Sequence, residues 1–335
     1  MARSNGAALA MSLALGLATA TCPAAAEGPA DRSAAARQAI TDYARLLMVE
    51  SRADAAFGKY FAPGLIQHNP LIGDGHKGDA EFLEMRRKAE PDKYDALEKY
   101  VPVVHTIMAD GNLVALMSHV FTNPADKGRV FVDIWRFEGG QFVEHWDVIQ
   151  PIEEAVPNPA PVGCGVGTTY AAAVAARDTV AHPACSAPDR KADGEVSRKL
   201  VMTYLDMGQQ PGRLVEAVET FVSPALVQHS RRIPPGRQGL IDYMSARAAA
   251  RSADQRTSYM ARVLADGDLV LVHRRVTSRS DPRGTAYADL FRVRDGKVVE
   301  HWDVVQPIPE FSVSGRSMVD GLLEPGRHKG GPQSH

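Results

Sequence analysis

The sequence is poor in cysteine and in aromatic residues. Only three of its 335 residues are cysteine, and phenylalanine, tryptophan and tyrosine together make up 7%. The formal net charge of −2 at pH 7 offers no excess of positive charge, so neither nucleic acid nor an acidic membrane surface is expected as a partner. Beyond the N-terminal segment, no stretch approaches the roughly 20 consecutive apolar residues that a membrane-spanning helix needs. The composition is typical of a globular protein, and the length predicts about two domains.

Motifs for nucleotide and serine-hydrolase chemistry are also absent. The chain has no glycine-rich phosphate loop, no Gly-x-Ser-x-Gly turn and no Cys-x-x-Cys pair, and these are the patterns that usually reveal such sites. The sequence therefore predicts no cofactor.

The first 26 residues have the features of a secretory signal peptide. Arg3 precedes a segment rich in alanine and leucine over 7–18, and Ala24 and Ala26 provide the small residues of a cleavage site. A lipoprotein anchor at Cys22 is the competing interpretation, although the residues before it suit lipidation poorly. The sequence thus predicts export, with a periplasmic or secreted location.

Cleavage after Ala26 leaves two cysteines, Cys164 and Cys185, and both lie between the repeats described below. In an oxidising compartment they could form a disulfide, which would stabilise the fold by about 3 kcal/mol on the chain-entropy estimate. The alternative is two unrelated free thiols. The even number and the predicted export favour the disulfide.

The strongest feature of the sequence is a nine-residue stretch that occurs twice. Residues 144–152 read EHWDVIQPI, and residues 300–308 read EHWDVVQPI. Nearer the start of each copy, the pair Gln-His recurs at 67–68 and 228–229. Repeats so far apart enclose a whole domain rather than one turn of a solenoid. The sequence therefore predicts a tandem duplication.

Each copy begins with helices and ends with strands. Apolar residues at helical spacing predict helices over 34–50, 53–61 and 78–88, and apolar runs bounded by glycine turns predict strands over 101–108, 113–120, 129–137 and 141–150. This order predicts an α+β fold, in which helices pack on a curved antiparallel sheet. We expect domains at 34–152 and 195–311, a linker rich in proline, alanine and glycine at 153–194, and a disordered tail at 312–335.

The repeated stretch contains the first candidates for chemistry. Alternate side chains of a strand face opposite sides, so His145 shares a face with Asp147, and His301 shares one with Asp303. A histidine oriented by a carboxylate can move a proton near neutral pH. The alternative is that the acids are solvated and that the tryptophans between them, Trp146 and Trp302, belong to the core.

Two further acids, Asp133 and Asp289, lie inside apolar strands. A carboxylate in such a place is costly unless it is hydrogen-bonded or faces a polar cavity. Desolvation would raise its pKa and suit it to general acid or base catalysis. An edge position on an exposed sheet face is the alternative.

Four histidines occupy comparable places in the two copies. His68 and His229 precede loops, whereas His119 and His273 lie on one face of the strand that follows each Asp-Gly turn, although they do not align with each other. A structural role is as plausible for each as contact with a substrate. They form no compact set of ligands, so the sequence predicts no metal.

Several motifs resemble those of the SnoaL-like polyketide cyclases, in the branch described as predicted aldol-condensation enzymes. These motifs are Gln67-His68-Asn69-Pro70, Val132-Asp133-Ile134-Trp135-Arg136 and the stretch from Val143 to Pro151, with their counterparts in the second copy. That group belongs to the superfamily of nuclear transport factor 2, ketosteroid isomerase and limonene epoxide hydrolase. The resemblance implies two cone-shaped α+β barrels, each closed around an apolar pocket.

The resemblance also implies roles for the acids. Asp147 and Asp303 match the pocket carboxylate that acts as general acid or base in relatives, and Asp133 and Asp289 match a carboxylic acid that supports an oxyanion. Simple alternation across a two-residue turn would put the two acids of one copy on opposite faces. Both acids point inward only if a β-bulge intervenes.

The two copies depart from the family pattern in different ways. A His-x-His pair is usual in the strand before the last hairpin, but the first copy keeps only His119 and the second only His273. The second copy also has Ser230-Arg231 in place of Asn69-Pro70. The pockets are therefore not equivalent, and we expect activity in the first.

Relatives of this fold pair through the open face of the sheet, so a tandem chain can form a pseudo-dimer within one polypeptide.

Two functions remain open. One is cofactor-independent acid/base catalysis on a small apolar carbonyl compound, as an aldol-type cyclase, isomerase or hydratase, with His68, His229, His119, His273, Trp146 and Trp302 as candidate substrate contacts. The other is a non-catalytic protein that uses the same pockets to bind a small ligand or to serve as a scaffold.

Overall fold

The computed structural model describes residues 28–50, 52–89, 101–121, 124–125, 127–152, 157–158, 169–176 and 187–320. The predicted signal peptide and all three cysteines lie outside these residues, so the proposed cleavage and disulfide stay predictions. None of the helices in the described ranges is long and apolar enough to span a membrane.

Domain 1 has the predicted order of helices followed by strands. Its elements are α1 (Pro29–Ala44), a π-helical turn (Arg45–Val49), α2 (Ala53–Tyr60), β1 (Phe61–Gln67), α3 (Gly75–Ala89), β2 (Val101–Asp110), β3 (Leu113–Phe121), β4 (Arg129–Glu138) and β5 (Gln141–Pro151). The β4–β5 turn is formed by Gly139 and Gly140, which both have positive φ, as a type I′ hairpin turn requires.

Domain 2 repeats this arrangement after a short helix between the domains, α4 (Tyr170–Ala176). Its elements are α5 (Gly194–Gln209), α6 (Leu214–Phe221), β6 (Val222–Gln228), α7 (Gly236–Asp254), β7 (Thr257–Asp266), β8 (Leu269–Thr277), β9 (Thr285–Arg294) and β10 (Lys297–Pro307). Asp193 caps α5, because its side chain accepts hydrogen bonds from the backbone N–H groups of Glu195 and Val196. The α+β prediction, with two tandem copies, is confirmed.

Each domain contains one five-stranded sheet. The strand order is β1-β5-β4-β3-β2 in domain 1 and β6-β10-β9-β8-β7 in domain 2. The strands β1 and β6 were not predicted, because Pro63 and Pro224 interrupt their patterns. Each pairs in parallel with the last strand of its domain, across a shift in register. This pairing places the residues that follow β1 and β6 beside the repeated stretch.

One face of each sheet packs against its own helices. In domain 1 the core between them includes Ile40, Tyr43, Leu65 and Trp135. The corresponding core of domain 2 includes Tyr204, Phe291 and other apolar side chains of α5, α6, β8 and β9. In both copies an apolar core therefore lies between the sheet and its helices.

The other faces of the two sheets pack together in one continuous core. Side chains of β3, β4 and β5 meet those of β8, β9 and β10, and Trp146 and Trp302 both belong to this shared core. The domains also exchange matching hydrogen bonds. The Gln150 side chain accepts from Val305 N–H at 2.9 Å, and the Gln306 side chain accepts from Ile149 N–H at 2.7 Å. The contact is therefore reciprocal, as in a twofold dimer.

The chain after each sheet crosses to the other domain. Asn158 donates from its side-chain amide to the carbonyl oxygens of Gln228 and Ser230 in domain 2. In the other direction, Val313 N–H donates to Pro70 O at 2.9 Å. Each domain therefore contributes a segment that covers the loop after the first strand of its neighbour.

The prediction of a disordered tail from residue 312 is wrong for residues 312–320. Met318 and Val319 are 1% and 0% exposed and lie in the shared core between the sheets. Ser317 O accepts a hydrogen bond from the His68 ring at 2.7 Å. Apolar side chains spaced among polar ones gave no periodic signal in this segment, because their burial depends on contacts with the other domain.

Candidate functional site

A β-bulge brings the two acids of each domain onto one face of the sheet. In domain 1 the register between β4 and β5 shifts after Arg136, so that Asp133 lies opposite Asp147. In domain 2 the same shift places Asp289 opposite Asp303. An extra residue in one strand reverses the alternation beyond it. The four acids therefore face the helices, which decides the question that the sequence left open.

His145 lies between the acids of domain 1 with both ring nitrogens hydrogen-bonded. Its Nδ1 lies 2.8 Å from Gln67 Oε1, and its Nε2 lies 3.2 Å from Asp133 Oδ1. Gln67 Oε1 also accepts from Asn69 N–H, so this oxygen is an acceptor and His145 Nδ1 must donate to it. The other ring nitrogen, Nε2, can therefore share a proton with Asp133 Oδ1.

These contacts set the pKa of His145. Burial lowers it, but the hydrogen bond to Asp133 and the charge of Asp147 outweigh burial, and the net effect raises the pKa above its usual value. Trp135 stacks on the imidazole with the ring centres 4.9 Å apart. The ring is therefore held in place both by its hydrogen bonds and by packing.

Asp147 is 3% exposed, and only one of its oxygens is bonded. Asn69 donates from its side-chain amide to Oδ2 at 2.5 Å, while Oδ1 is buried without a hydrogen-bond partner among the described residues. Burial raises the pKa of Asp147 to about 6, with the charge of His145 opposing this and that of Asp133 adding to it. The carboxyl group can therefore both accept and release a proton near neutral pH.

A third acid, Asp79 on α3, interacts electrostatically with the same histidine, His145. Burial raises its pKa to about 6, and the nearby His145 and His76 oppose the shift. Its Oδ2 has no hydrogen-bond partner in the described part of the chain. Sequence reasoning did not identify Asp79, because an acid on a predicted amphipathic helix is normally solvated.

Asp133, His145 and Asp147 also offer ligand atoms that all lie within 4.8 Å of one another. Carboxylate oxygens and imidazole nitrogens at such spacing could hold a metal ion. The expectation that the protein uses no metal and no cofactor stays a prediction.

Domain 2 repeats the central histidine but surrounds it with arginine. His301 Nδ1 lies 3.0 Å from Gln228 Oε1, and its Nε2 lies 3.4 Å from Asp289 Oδ1. Arg274 Nε donates to Asp289 Oδ2 at 2.6 Å, and Arg232 Nη2 donates to Asp303 Oδ2 at 2.7 Å. Each acid of domain 2 therefore forms an ion pair.

The arginines change the proton chemistry of domain 2. Burial would raise the pKa of Asp289, but the charge of Arg274 and the hydrogen bonds from His301 and Arg274 lower it well below its usual value. At the aligned positions domain 1 has Leu71 for Arg232 and Ser118 for Arg274. Among the described side chains, no arginine or lysine is bonded to Asp133 or Asp147. The two sites thus share a framework and differ in charge.

A cavity of about 160 Å³ lies between the helices and the sheet of domain 2. Asp289, His301 and Asp303 line one end together with Arg232 and Arg274. Tyrosine and aliphatic side chains from α5, α7, β7 and β9 line the remainder. Because the acids of domain 1 occupy equivalent positions in their own sheet, the helix side of each sheet is the candidate binding face.

Four candidate substrate contacts lie on the opposite side of the sheet. Trp146 and Trp302 are buried in the core between the domains. His68 stacks on Trp146 and bonds Glu144 at 2.9 Å, and His229 stacks on Trp302 and bonds Glu300 at 3.0 Å. The structure does not bring these side chains to the acids. They order the ends of β5 and β10 and support the contact between the halves.

His119 and His273 also point away from the acids. His119 Nε2 lies 2.8 Å from Lys127 O, next to Phe121. His273 is fully buried, and burial together with the charge of Arg262 lowers its pKa to about 3. The sequence correctly placed these two histidines on one strand face, but that face belongs to the side away from the site.

Sequence reasoning missed the amide side chains next to His68 and His229 in the chain. Gln67 and Asn69 in domain 1, and Gln228 in domain 2, reach the site because they alternate with His68 and His229 along the chain. The Gln-x-Asn spacing beside an unpredicted parallel strand was the available signal. Arg232 and Arg274 were visible only as departures of the second copy from the first.

Comparisons with known proteins found similar solved structures and one matching family model. Among curated proteins, no match to this chain was found. Solved structures that resemble it include a candidate ketosteroid isomerase from Kribbella flavida (18% identity, 40% of this chain and 96% of that chain, TM-score 0.32). Others are a candidate SnoaL-like polyketide cyclase from Jannaschia sp. CCS1 (20%, 33% and 86%, TM-score 0.28) and IdmH, a candidate polyketide cyclase from Streptomyces antibioticus (21%, 32% and 91%, TM-score 0.26).

The family match covers more than half of the chain and occurs once in each domain. The profile of the SnoaL-like domain matches residues 40–145 and again residues 204–301. The resemblance seen in the sequence motifs is thereby confirmed. The chain belongs to the family of SnoaL-like domain proteins and carries two copies of that domain.

Proposed function

We propose that domain 1 is a cofactor-independent acid/base enzyme that acts on a small apolar carbonyl compound. The observation that carries this proposal is the environment of Asp147, which is buried beside Asp133 and His145 and has a pKa of about 6. Among the described side chains, no arginine or lysine bonds it. A base with this pKa is well matched to proton transfer near neutral pH.

The geometry supports a defined division of labour. Asp147 removes a proton next to the carbonyl group through its unpartnered oxygen, while Asn69 holds the other oxygen. The Nε2–H group of His145, which also faces Asp133 at 3.2 Å, donates a hydrogen bond to the oxygen of the resulting enolate. Such an enolate is common to aldol-type cyclisation, isomerisation and hydration.

Proton exchange tests this proposal without knowledge of the product. We expect the protein to catalyse exchange of α-hydrogens for deuterium in members of a panel of small ketones, measured by NMR. The rate should rise as the pH increases through about 6, because Asp147 must be ionised to act as a base. Asp147→Asn should lower the rate by about 100-fold or more.

Asp303→Asn is the matched change in domain 2. Because Asp303 already forms an ion pair with Arg232, this variant should lose less than about tenfold. Equal turnover in the wild type and in both variants would remove the general-base assignment. A large loss in Asp303→Asn alone would move the activity to domain 2.

Non-catalytic ligand binding remains the alternative for the protein as a whole. The structure of domain 2 favours this alternative, because it contains a cavity and because both of its site acids form ion pairs with arginines. A scaffold without turnover in either domain would show no exchange at any pH.

We also propose that the protein is exported and that Cys164 and Cys185 are bonded in the mature chain. The support is the N-terminal sequence and the even number of cysteines that cleavage would leave. Intact mass spectrometry of protein secreted by a host with its signal peptide should give a chain that begins at Glu27. Its mass should lack two hydrogens relative to the reduced form. Retention of the first 26 residues, or two alkylatable thiols, would contradict the proposal.

A further inference from the structure

The cavity of domain 2 is lined by more cationic than anionic side chains. Four arginines line it, and Asp289 and Asp303 are the acids in the same lining; the arginines are Arg232, Arg247, Arg256 and Arg274. Arg256 lies 3.7 Å from Asp254 outside the lining, so among the described residues one guanidinium group, that of Arg247, exceeds the acids. An excess of guanidinium charge beside an apolar cavity favours an anion as ligand.

Two of these arginines converge on one aromatic ring at the end of the cavity that carries the acids. The guanidinium carbons of Arg232 and Arg274 lie 5.5 Å and 4.5 Å from the centre of the Tyr287 ring. Stacking on a shared ring fixes the planes of both groups. Their donors are thereby held in place before any ligand arrives.

Among the described residues, each of the two arginines uses only part of its donor set. Arg232 bonds Asp303 through Nη2, and its Nε is buried without a partner among the described residues. Arg274 uses Nε for Asp289 and Nη1 for the Ser258 hydroxyl at 3.5 Å. A guanidinium group has five N–H donors, so both can bond an additional acceptor while they keep their aspartates.

The rest of the lining is apolar. Aliphatic and aromatic side chains form the walls, including those of Leu205, Leu226, Ile233, Tyr243, Met244 and Met260. A ligand that fits such a cavity has a small apolar body and one anionic end. Planar carboxylates match the fork geometry of arginine best.

From this arrangement we propose that domain 2 is a second binding site, specific for small apolar carboxylates, whose carboxylate is held by Arg232 and Arg274. Domain 1 has leucine and serine at these two positions and does not share the specificity. This proposal goes beyond the acid/base function of domain 1 and does not depend on it. The duplication has then produced one catalytic copy and one recognition copy.

Calorimetric titration of the full chain with matched acids and amides tests the proposal. The probes are octanoate and phenylacetate, each compared with its primary amide, which has the same shape without the charge. The carboxylates should bind about tenfold or more tightly than the amides, because hydrogen bonds between charged partners are the stronger ones. Asp147→Asn should bind the carboxylates like the wild type, which separates this site from the site in domain 1.

The arginine variants localise the binding. Arg274→Ser and Arg232→Leu install the domain 1 residues and should each raise the Kd for the carboxylates by about tenfold, with little effect on the amides. Because each change leaves an aspartate without its partner, the double variant Arg274→Ser/Asp289→Asn, which removes both charges, provides a second route to the same loss.

Arg247→Leu offers a variant that leaves no acid unpaired. Arg247 bonds the Tyr243 hydroxyl at 3.3 Å and lines the cavity, so its loss should weaken carboxylate binding only. Arg294→Leu, an exposed change outside the cavity lining, is the matched control and should bind like the wild type. Equal affinity for acids and amides, or no binding of either carboxylate at millimolar concentration, would overturn the proposal.

Discussion

At the scale of single residues, the two sites differ in charge through three substitutions. Domain 1 has Leu71, Ser118 and Asp79, whereas domain 2 has Arg232, Arg274 and Leu240 at the aligned positions. At these three positions domain 1 has one acid and two neutral side chains, whereas domain 2 has one neutral side chain and two cations. The histidine and the paired aspartates are common to both. The charge around them, rather than their identity, separates the proposed proton-transfer site from the proposed anion site.

Asp79 should make the stability of the protein depend on pH in a defined direction. Its folded-state pKa of about 6 lies above the ordinary value of 3.8, so its protonated form is favoured by folding. The stability it contributes is complete below pH 4 and is lost as the pH rises through about 6. At pH 8 the buried carboxylate costs at most about 3 kcal/mol of unfolding free energy.

Asp79→Asn should therefore stabilise the protein at pH 8 and change little at pH 4. Urea unfolding at the two pH values measures this difference. Glu81→Gln, an exposed change on the same helix, is the control and should have no pH-dependent effect. Equal stability of Asp79→Asn and the wild type at pH 8 would mean that Asp79 is solvated.

At the scale of secondary-structure elements, the segment that follows the sheet of domain 2 packs on domain 1. Residues 312–320 cross to domain 1, where Met318 and Val319 enter the shared core. Ser317 bonds the His68 ring, and Arg316 bonds Asp74. The loop that leads to Asn69 is therefore covered by a segment of the other domain.

Removal of residues 312–335 should destabilise the protein by about 3–5 kcal/mol, since two apolar side chains lose their burial. Urea unfolding followed by tryptophan fluorescence gives the value. Removal of residues 321–335 alone keeps all of these contacts and should leave the unfolding midpoint unchanged. If both truncated proteins unfold at the same urea concentration, the crossing segment does not contribute to stability.

At the scale of the whole molecule, two halves form a pseudo-dimer within one chain. Asp110 and Asp266 occupy equivalent positions at the contact, and each accepts a backbone N–H of the other domain, from Ala265 at 3.0 Å and Ala109 at 3.1 Å. Arg190 and Arg37 also bond Asp266. From the reciprocal contacts and the continuous core we expect the two halves to unfold together.

Asp266→Asn should lower the unfolding free energy by about 2–3 kcal/mol, because it leaves guanidinium donors without their charged acceptor. The loss should appear as a shift of one common transition, since the shared core joins both domains. Asp295→Asn, in an exposed turn of domain 2, is the control. Two separate transitions, with only one displaced, would show that the halves fold independently.

The sequence by itself determined the duplication, the α+β order and most strands, because these depend on local apolar patterns and on turn residues such as Asp295-Gly296. It also identified Asp133 and Asp289, as acids inside apolar strands, and Asp147 and Asp303, as members of the repeated stretch. Tertiary structure decided which face they occupy, because one bulged residue reverses the alternation of a strand. It also decided the partners of the four acids, which come from neighbouring antiparallel strands and from the loops that follow β1 and β6. Charge balance in each site therefore became apparent only when these separate segments were brought together.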